Sequence, residues 1–249
     1  MLKIGIIGGS GLDDPDILKN PKELHISTEY GDPSSSLLSG QINGVETVII
    51  ARHGRQHQYS PAQINNRANI KALQKAGVTH IIATTACGSL REEINRGHFV
   101  IPDQFIDFTK FRKTSFVETF QNGPVHTAMA HPFHEGLRKC LYDSARKLDL
   151  DVHDKGCVIT IEGPRFSTVA ESRMFRIWGA DVINMSIAPE AMLANEAGIP
   201  YAVVAMSTDY DCWKEDETPV TWDEILEVFH HNSDNVKQLL VKVIGEFKG

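Results

Sequence analysis

Residues 182–213, VINMSIAPEAMLANEAGIPYAVVAMSTDYDCW, decide how the rest of the chain is read. The stretch predicts strand, short turn, helix, strand. Residues 182–184 form a brief apolar run, Pro189 opens a helical segment and Gly198 closes it. Residues 201–206 are then continuously apolar, as expected of a strand buried on both faces of a sheet. The run stops at Ser207-Thr208-Asp209-Tyr210-Asp211. If the chain stays extended there, Asp209 and Asp211 point to one side and Tyr210 to the other. Two neighbouring carboxylates are costly unless one takes up a proton, and a protonated carboxyl can donate a hydrogen bond. On these residues alone the segment is either an acidic turn at a strand end or a proton-handling pair at the carboxyl edge of an α/β sheet, where ligands bind.

Composition narrows the class. A chain of 249 residues with 41% apolar content can bury a large core, and no Pro-, Gly- or Ser-rich linker or fixed repeat divides it. One α/β domain spanning residues 1–249 is expected. A net charge of −7 argues against a general nucleic-acid or membrane-surface binder, so neither partner is expected. Any anionic ligand must then be held by local donors rather than by the overall field. Cys87, Cys140, Cys157 and Cys212 are far apart and show no metal-like pairing. With no signal peptide and no long apolar span, a reducing cytoplasmic setting follows.

Other strand ends carry equally unusual residues. Residues 2–7 form a short buried strand running into Gly8-Gly9-Ser10-Gly11. This loop fits neither the dinucleotide fingerprint nor a P-loop, which leaves a plain tight turn or a phosphate-suited loop. Residues 45–51 form a strand followed by Arg52-His53-Gly54-Arg55-Gln56-His57. No glutamate follows His53, so the histidine pair lacks the zincin pattern. The loop is either a solvated basic turn or an oxyanion site, for which arginine offers planar paired donors. Ser60, Pro61 and Gly77 bound a predicted helix over residues 61–76. Residues 78–83 predict a third strand, ending in Thr84-Thr85-Ala86-Cys87-Gly88-Ser89, whose small residues would let a ligand approach the backbone. Cys87 could be a nucleophile with His53 or His57 as base, although nothing in the spacing selects it and a buried cysteine is usually inert.

Residues 99–108 read as one further strand, 132–150 as an amphipathic helix approached by His126, His131 and His134, and 158–161 as a strand. Glu162-Gly163-Pro164-Arg165-Phe166-Ser167 leads from it into a helix over 168–178. Phe166 is either core or a cover for a planar base. The last helix starts at Thr221, with Glu224 completing a capping box and Trp222 in the first turn. In a mostly parallel sheet Ser10, Arg52, His53, Thr84, Thr85, Asp209 and Asp211 would crowd one edge. One half of that edge is anion-friendly and the other acidic, which suits an anionic nucleophile facing a leaving group that needs a proton.

GGSGLDDP (8–15), ARHGRQH (51–57), TTACGSLREEI (84–94), IEGPRFST (161–168), WGADVINMS (178–186) and MSTDYDCW (206–213) together resemble the trimeric purine nucleoside phosphorylase family, in its S-methyl-5′-thioadenosine phosphorylase branch. The resemblance runs from Ile4 to about Leu240. It implies an α/β fold with a central mixed, mostly parallel sheet flanked by helices, and a homotrimer. It implies no metal or organic cofactor, with inorganic phosphate as co-substrate beside a purine nucleoside. By the same resemblance, phosphate would meet Ser10, Arg52, His53, Thr85, the backbone of Ala86 and Ser186. The ribose would meet Met185, Phe166 would flank the purine, and Asp209 and Asp211 would meet its N7 and 6-amino edge, with Asp209 the catalytic acid.

Relatives that prefer 6-oxopurines resemble this chain less at two places. They carry Asn where Asp209 stands and Glu where Ser167 stands, so adenine nucleosides are expected. Ser10 and Ser186 stand where the family has threonine, and each keeps the hydroxyl. Trp222 stands where the thioadenosine branch has valine beside the 5′ substituent; it could narrow or reshape that pocket or turn to solvent, and adenosine itself could be accepted. The rival readings are a phosphorylase of inosine and guanosine, a nucleoside hydrolase, and a non-catalytic nucleotide-binding module.

Overall fold

The computed structural model describes residues 1–9, 16–121, 123–214 and 222–249, and for residues 222–227 and 229–231 the backbone alone. In chain order the strands are β1 (Lys3–Gly8), β2 (Lys19–Leu24), β3 (Leu37–Ile42), β4 (Val45–Ala51), β5 (His80–Ser89), β6 (Phe99–Val100), β7 (Gln104–Phe108), β8 (Val152–His153), β9 (Cys157–Ile161), β10 (Val182–Asn184) and β11 (Tyr201–Asp209). The helices are α1 (Asn66–Lys75), α2 (Glu135–Lys147), α3 (Val169–Ile177), α4 (Ile187–Glu196) and α5 (Trp222–Glu246).

One mixed sheet joins the strands. Its main path runs β2-β3-β4-β1-β5-β10-β9-β7, with β11 on β5 and the short β6 and β8 beyond it. The central strands β4, β1, β5 and β11 are all parallel, so their carboxyl ends share an edge. Every residue of β11 is buried. Alternate residues divide between two cores as a pleated strand requires. Tyr201, Val203 and Ala205 pack with Ile70 and Leu73 of α1 and Ile187 and Leu193 of α4. Ala202, Val204 and Met206 pack with Leu137 and Leu141 of α2 and Leu239 and Val243 of α5. Covered faces explain why these strands read as unbroken apolar runs.

Strand β5 creates the site. It pairs with β1 only over residues 80–83, while β11 follows it to Gly88. On the side that β1 leaves, β10 joins antiparallel at Gly88 and Ser89. Among the described pairs, residues 84–87 therefore have no strand on that edge, and a cleft opens there. Helix α4 returns to the sheet through Gly198, at φ +70°. Gly198 N–H bonds to Asn195 O at 3.0 Å and Ile199 N–H to Ala194 O at 2.9 Å, the paired closure that a left-handed glycine permits.

Several sequence expectations change. Residues 61–76 are not one helix: Pro61–Gln63 form a single 3₁₀ turn, and α1 starts afresh after Asn65, whose side chain accepts from Ala68 N–H. The strand expected over 99–108 is two short strands with Pro102 between them. The strand expected to end at residue 83 continues to Ser89. The chain does not stay extended through Asp211, which takes φ +51° just beyond β11. Helix α4 begins at Ile187, two residues before Pro189. His134 caps α2 by accepting from Leu137 N–H, while His126 and His131 are exposed. The capping box of Thr221 and Glu224 lies outside the described residues.

Candidate active site

A cavity of about 440 Å³ opens at the carboxyl edge of β4, β5 and β11. His53, Ala86, Met185, Ser186, Phe166, Ser167, Asp209 and Asp211 all line it. Eight of the residues expected from sequence thus share one space. Thr85 lies just behind Ser186, and Arg52 is buried behind the wall. Ser10 and the Trp222 side chain lie outside the described residues.

The anion-friendly half is built from helix and strand ends. Ser186 is the N-cap of α4, yet its hydroxyl makes no capping bond. It shares a 3.2 Å hydrogen bond with the Thr85 hydroxyl instead, and both residues are buried. Asn184, at the end of β10, donates to Thr85 Oγ1 at 3.4 Å and accepts from Thr160 Oγ1 at 2.8 Å. Two hydroxyls at a helix N-terminus suit an oxyanion, because the helix dipole and its unpaired N–H groups favour negative charge. In an extended strand the N–H and C=O of one residue face the same edge, and residues i and i+2 share it. Thr84 O faces the Arg52 side, where it accepts from Nη1 at 2.8 Å. Ala86 therefore presents its backbone to the edge that borders the cavity.

His53 is held with a defined proton. Its Nδ1 lies 2.8 Å from Tyr59 O, and a carbonyl only accepts, so Nδ1 carries the hydrogen and Nε2 is left as an acceptor. Burial pushes its pKa down to about 4; the Tyr59 bond opposes this and the Arg52 charge adds to it. The ring stacks on His57 at 4.4 Å. The resemblance implies that Arg52 helps to hold phosphate. Its Nε meets Glu190 Oε1 at 2.5 Å and its Nη2 meets Oε2 at 3.1 Å, with both side chains 1% exposed. Arg55 takes no part: it is exposed and pairs with Glu23 at 3.1 Å.

The acidic half lies at the end of β11. Asp209 is 5% exposed; its Oδ2 accepts from the Thr208 hydroxyl at 2.8 Å and its Oδ1 from Asp211 N–H at 2.7 Å. Burial raises the Asp211 pKa above its ordinary value against the pull of the Ser172 hydroxyl, and the Asp209 charge adds to the rise. Tyr210 turns away, as expected, and its hydroxyl donates to Asn95 Oδ1 at 2.6 Å. Cys87 borders the cavity, but burial, then Asp209, pushes its thiol well up, which removes the thiolate a nucleophile needs. Phe166, 44% exposed, stands at the rim after Gly163, where φ is +64° and any side chain would strike Met185 Sδ.

Sequence reasoning missed Tyr59, Ser60 and Pro61 as wall residues, and Asn184 and Glu190 as supports; His57, singled out in sequence, does line the wall. A polar residue closing the apolar run VIN and a glutamate inside the apolar helix IAPEAMLA were the available signals. Among the described residues, no group of three or more His, Cys, Asp or Glu side chains is placed to hold a metal.

A mixed α/β sheet whose cleft is lined by a helix N-cap hydroxyl and two carboxylates is the kind of site that suits small-molecule group transfer. Residues 3–245 match the Phosphorylase superfamily, and the chain belongs to that family. It is 53% identical to the S-methyl-5′-thioadenosine phosphorylase of Xenopus tropicalis over 98% of this chain and 89% of that protein. It is 51% identical to the enzyme of the same name from Danio rerio, over 98% and 89%. The crystal structure of methylthioadenosine phosphorylase from Schistosoma mansoni with adenine superposes with a TM-score of 0.94 at 39% identity, covering 98% of this chain and 91% of that one.

Proposed function

We propose that the protein catalyses phosphorolysis of S-methyl-5′-thioadenosine to adenine and 5-methylthioribose 1-phosphate. The observation that carries this is one cleft lined by His53, Ser186, Asp209 and Asp211 together. Relatives at about half identity carry that activity in their names, and the Schistosoma mansoni enzyme has been solved with adenine and with methylthioadenosine. Among those relatives nothing favours the alternative 6-oxopurine specificity.

Phosphate rests against the Thr85 and Ser186 hydroxyls, the Ala86 backbone and the N-terminus of α4. Neutral His53 accepts from a phosphate O–H through Nε2, which leaves the opposite oxygens to face the sugar. Arg52 supplies positive charge from behind, and Ser10 completes the set. Ribose lies on Met185, and Phe166 flanks the purine. A phosphate oxygen attacks C1′ as the bond to N9 breaks, and its electron pair passes into the purine. Asp209, taking up a proton before the bond breaks, donates it to N7 as that charge develops, and Asp211 accepts from the 6-amino group. Fixed donors and orientation supply much of the rate, since nothing in the site must reorganise as the anion attacks. No cofactor enters this scheme; phosphate is the second substrate.

Residues 1–249 are read as one phosphorylase domain. The protein assembles as a homotrimer and works in the cytoplasm. Phe111 and Ile177 are exposed, at 85% and 84%, and offer apolar surface that assembly would cover. Among the described residues, no helix is long and apolar enough to cross a membrane. Light scattering should return three times the 27.7 kDa chain mass.

The functional test is adenine release from methylthioadenosine, adenosine and inosine, each with and without phosphate. Phosphate-dependent release from methylthioadenosine is expected. Release without phosphate would indicate a hydrolase, a higher kcat/KM for inosine would overturn the base assignment, and no release from any nucleoside would indicate a binding module.

A further inference from the structure

Arg52 follows β4, and Glu190 sits near the start of α4. The two side chains form a paired ion bridge, with Nε to Oε1 at 2.5 Å and Nη2 to Oε2 at 3.1 Å. Nη1 donates to Thr84 O at 2.8 Å, so three bonds fix the plane of the guanidinium. Tyr201, the first residue of β11, donates its hydroxyl to Glu190 Oε2 at 2.7 Å. Burial pushes that hydroxyl well above its ordinary pKa, and the Glu190 charge adds to the rise, so it remains a neutral donor.

The geometry points to Glu190 as a positioning residue for the phosphate site: it fixes Arg52 in one plane and tempers its charge, and Tyr201 holds Glu190 in turn. This rests on the phosphate reading given above.

Three features connect the pair to the cleft. Ser186 and Glu190 are four residues apart, and so lie one turn apart on one face of the helix. Ser186 borders the cavity and Glu190 holds the arginine, so the helix sets the spacing between a phosphate hydroxyl donor and the arginine behind it. A Cβ built at Gly9 would stand 3.0 Å from Arg52 Nη1, which puts the guanidinium against the backbone that follows β1. Thr84 O lies on the strand edge that also presents Ala86.

Stability alone does not explain such a pair. A buried ion bridge can often be replaced by apolar side chains at no loss, because desolvation opposes the Coulombic gain. For catalysis the pair has a use. A glutamate against the guanidinium cancels part of its field at the phosphate, which weakens ground-state binding and keeps the arginine oriented for the transition state. Only the difference between those two states accelerates the reaction.

The test is steady-state kinetics with phosphate and methylthioadenosine varied in turn, on Glu190→Gln, Tyr201→Phe and the double variant. Glu190→Gln releases Arg52 and unmasks its charge. Its KM for phosphate should fall at least about threefold while kcat falls about tenfold or more, with KM for methylthioadenosine little changed. Tyr201→Phe should lower kcat about twofold to fivefold, and this effect should vanish in the Glu190→Gln background, because Tyr201 acts through Glu190. If Glu190→Gln does not fold, Glu190→Asp replaces it: charge is kept and geometry lost, so kcat should fall with KM for phosphate unchanged. A merely structural role would lower the active fraction and leave KM for phosphate where it was in Glu190→Gln, and that result overturns the inference. So would full kcat in Glu190→Asp, or independent effects of the two substitutions. Arg52→Gln separates the two levels. If it leaves KM for phosphate unchanged, the phosphate reading of Arg52 fails first and the role of Glu190 falls with it.

Discussion

Replacing Asp209 with asparagine changes one atom and tests what the carboxyl does. The surroundings dictate how the new amide sits. Oδ1 of Asp209 accepts from Asp211 N–H at 2.7 Å, and a backbone N–H cannot reverse its role. The amide oxygen must therefore take that place, and the NH₂ falls where Oδ2 met the Thr208 hydroxyl at 2.8 Å. That hydroxyl can rotate: Cys87 O, 3.2 Å away, takes its hydrogen, and the Thr208 oxygen then accepts from the amide. The amide oxygen, one amide hydrogen and the Thr208 hydroxyl thus keep partners, so the fold should lose no more than about 1 kcal/mol, the scale of one exchanged hydrogen bond. Chemistry should lose far more. An amide cannot transfer a proton to N7, and positioned general acids contribute roughly 10²–10⁴-fold. We expect kcat for methylthioadenosine to fall about 100-fold or more, equivalent to at least about 2.7 kcal/mol of barrier, with a melting temperature close to wild type. An amide also donates to a 6-oxygen, so inosine should be used better relative to methylthioadenosine than before. Adenine and hypoxanthine release, followed chromatographically, measures both. An Asp209→Asn enzyme with wild-type turnover, or one with no relative gain for inosine, would refute the role given to this carboxyl.

Other perturbations follow from the same geometry. A methyl group at Gly88 would sit 2.9 Å from Asp209 Oδ1 and 3.1 Å from Ile183 Cγ2, so Gly88→Ala should displace the acid and lower kcat about tenfold, with an overpacking loss of about 1–3 kcal/mol in denaturant melts. Wild-type kcat would show that the acid tolerates displacement. Asn184→Ala should raise KM for phosphate severalfold more than KM for methylthioadenosine, because Thr85 loses its support; equal changes in the two constants would contradict this. His53 has a folded pKa of about 4 against an ordinary 6.5, so the unfolded chain binds more protons between those values and stability falls as pH falls through that window. From pH 7 to pH 5 wild type should lose about 2 kcal/mol more than His53→Asn in urea titrations; parallel losses would show that the imidazole is not held neutral.

Much of this site was legible in the sequence, and the parts that were not share a physical cause. Strands β1, β4 and β11 announced themselves because both of their faces are covered and their central positions are apolar. Strand β2, KNPKEL, could not be read, since most of its residues are exposed and only pairing with β3 makes it a strand. The second half of β5 is small and polar, which resembles a loop until β11 and β10 are seen beside it. Helix α4 is buried on nearly all sides and has no amphipathic period to mark its start. Arg52 was visible as a donor beside a strand end. That it pairs with a glutamate 138 residues later is a consequence of packing that no local pattern encodes.

One measurement bears most directly on the account: a crystal structure of the protein with a methylthioadenosine analogue and phosphate or sulfate bound together. The account predicts the oxyanion within hydrogen-bond distance of the Thr85 and Ser186 hydroxyls and of His53 Nε2, with the purine N7 facing Asp209 across the same cleft. An anion bound on a different surface, or a purine whose N7 faces away from Asp209, would contradict it.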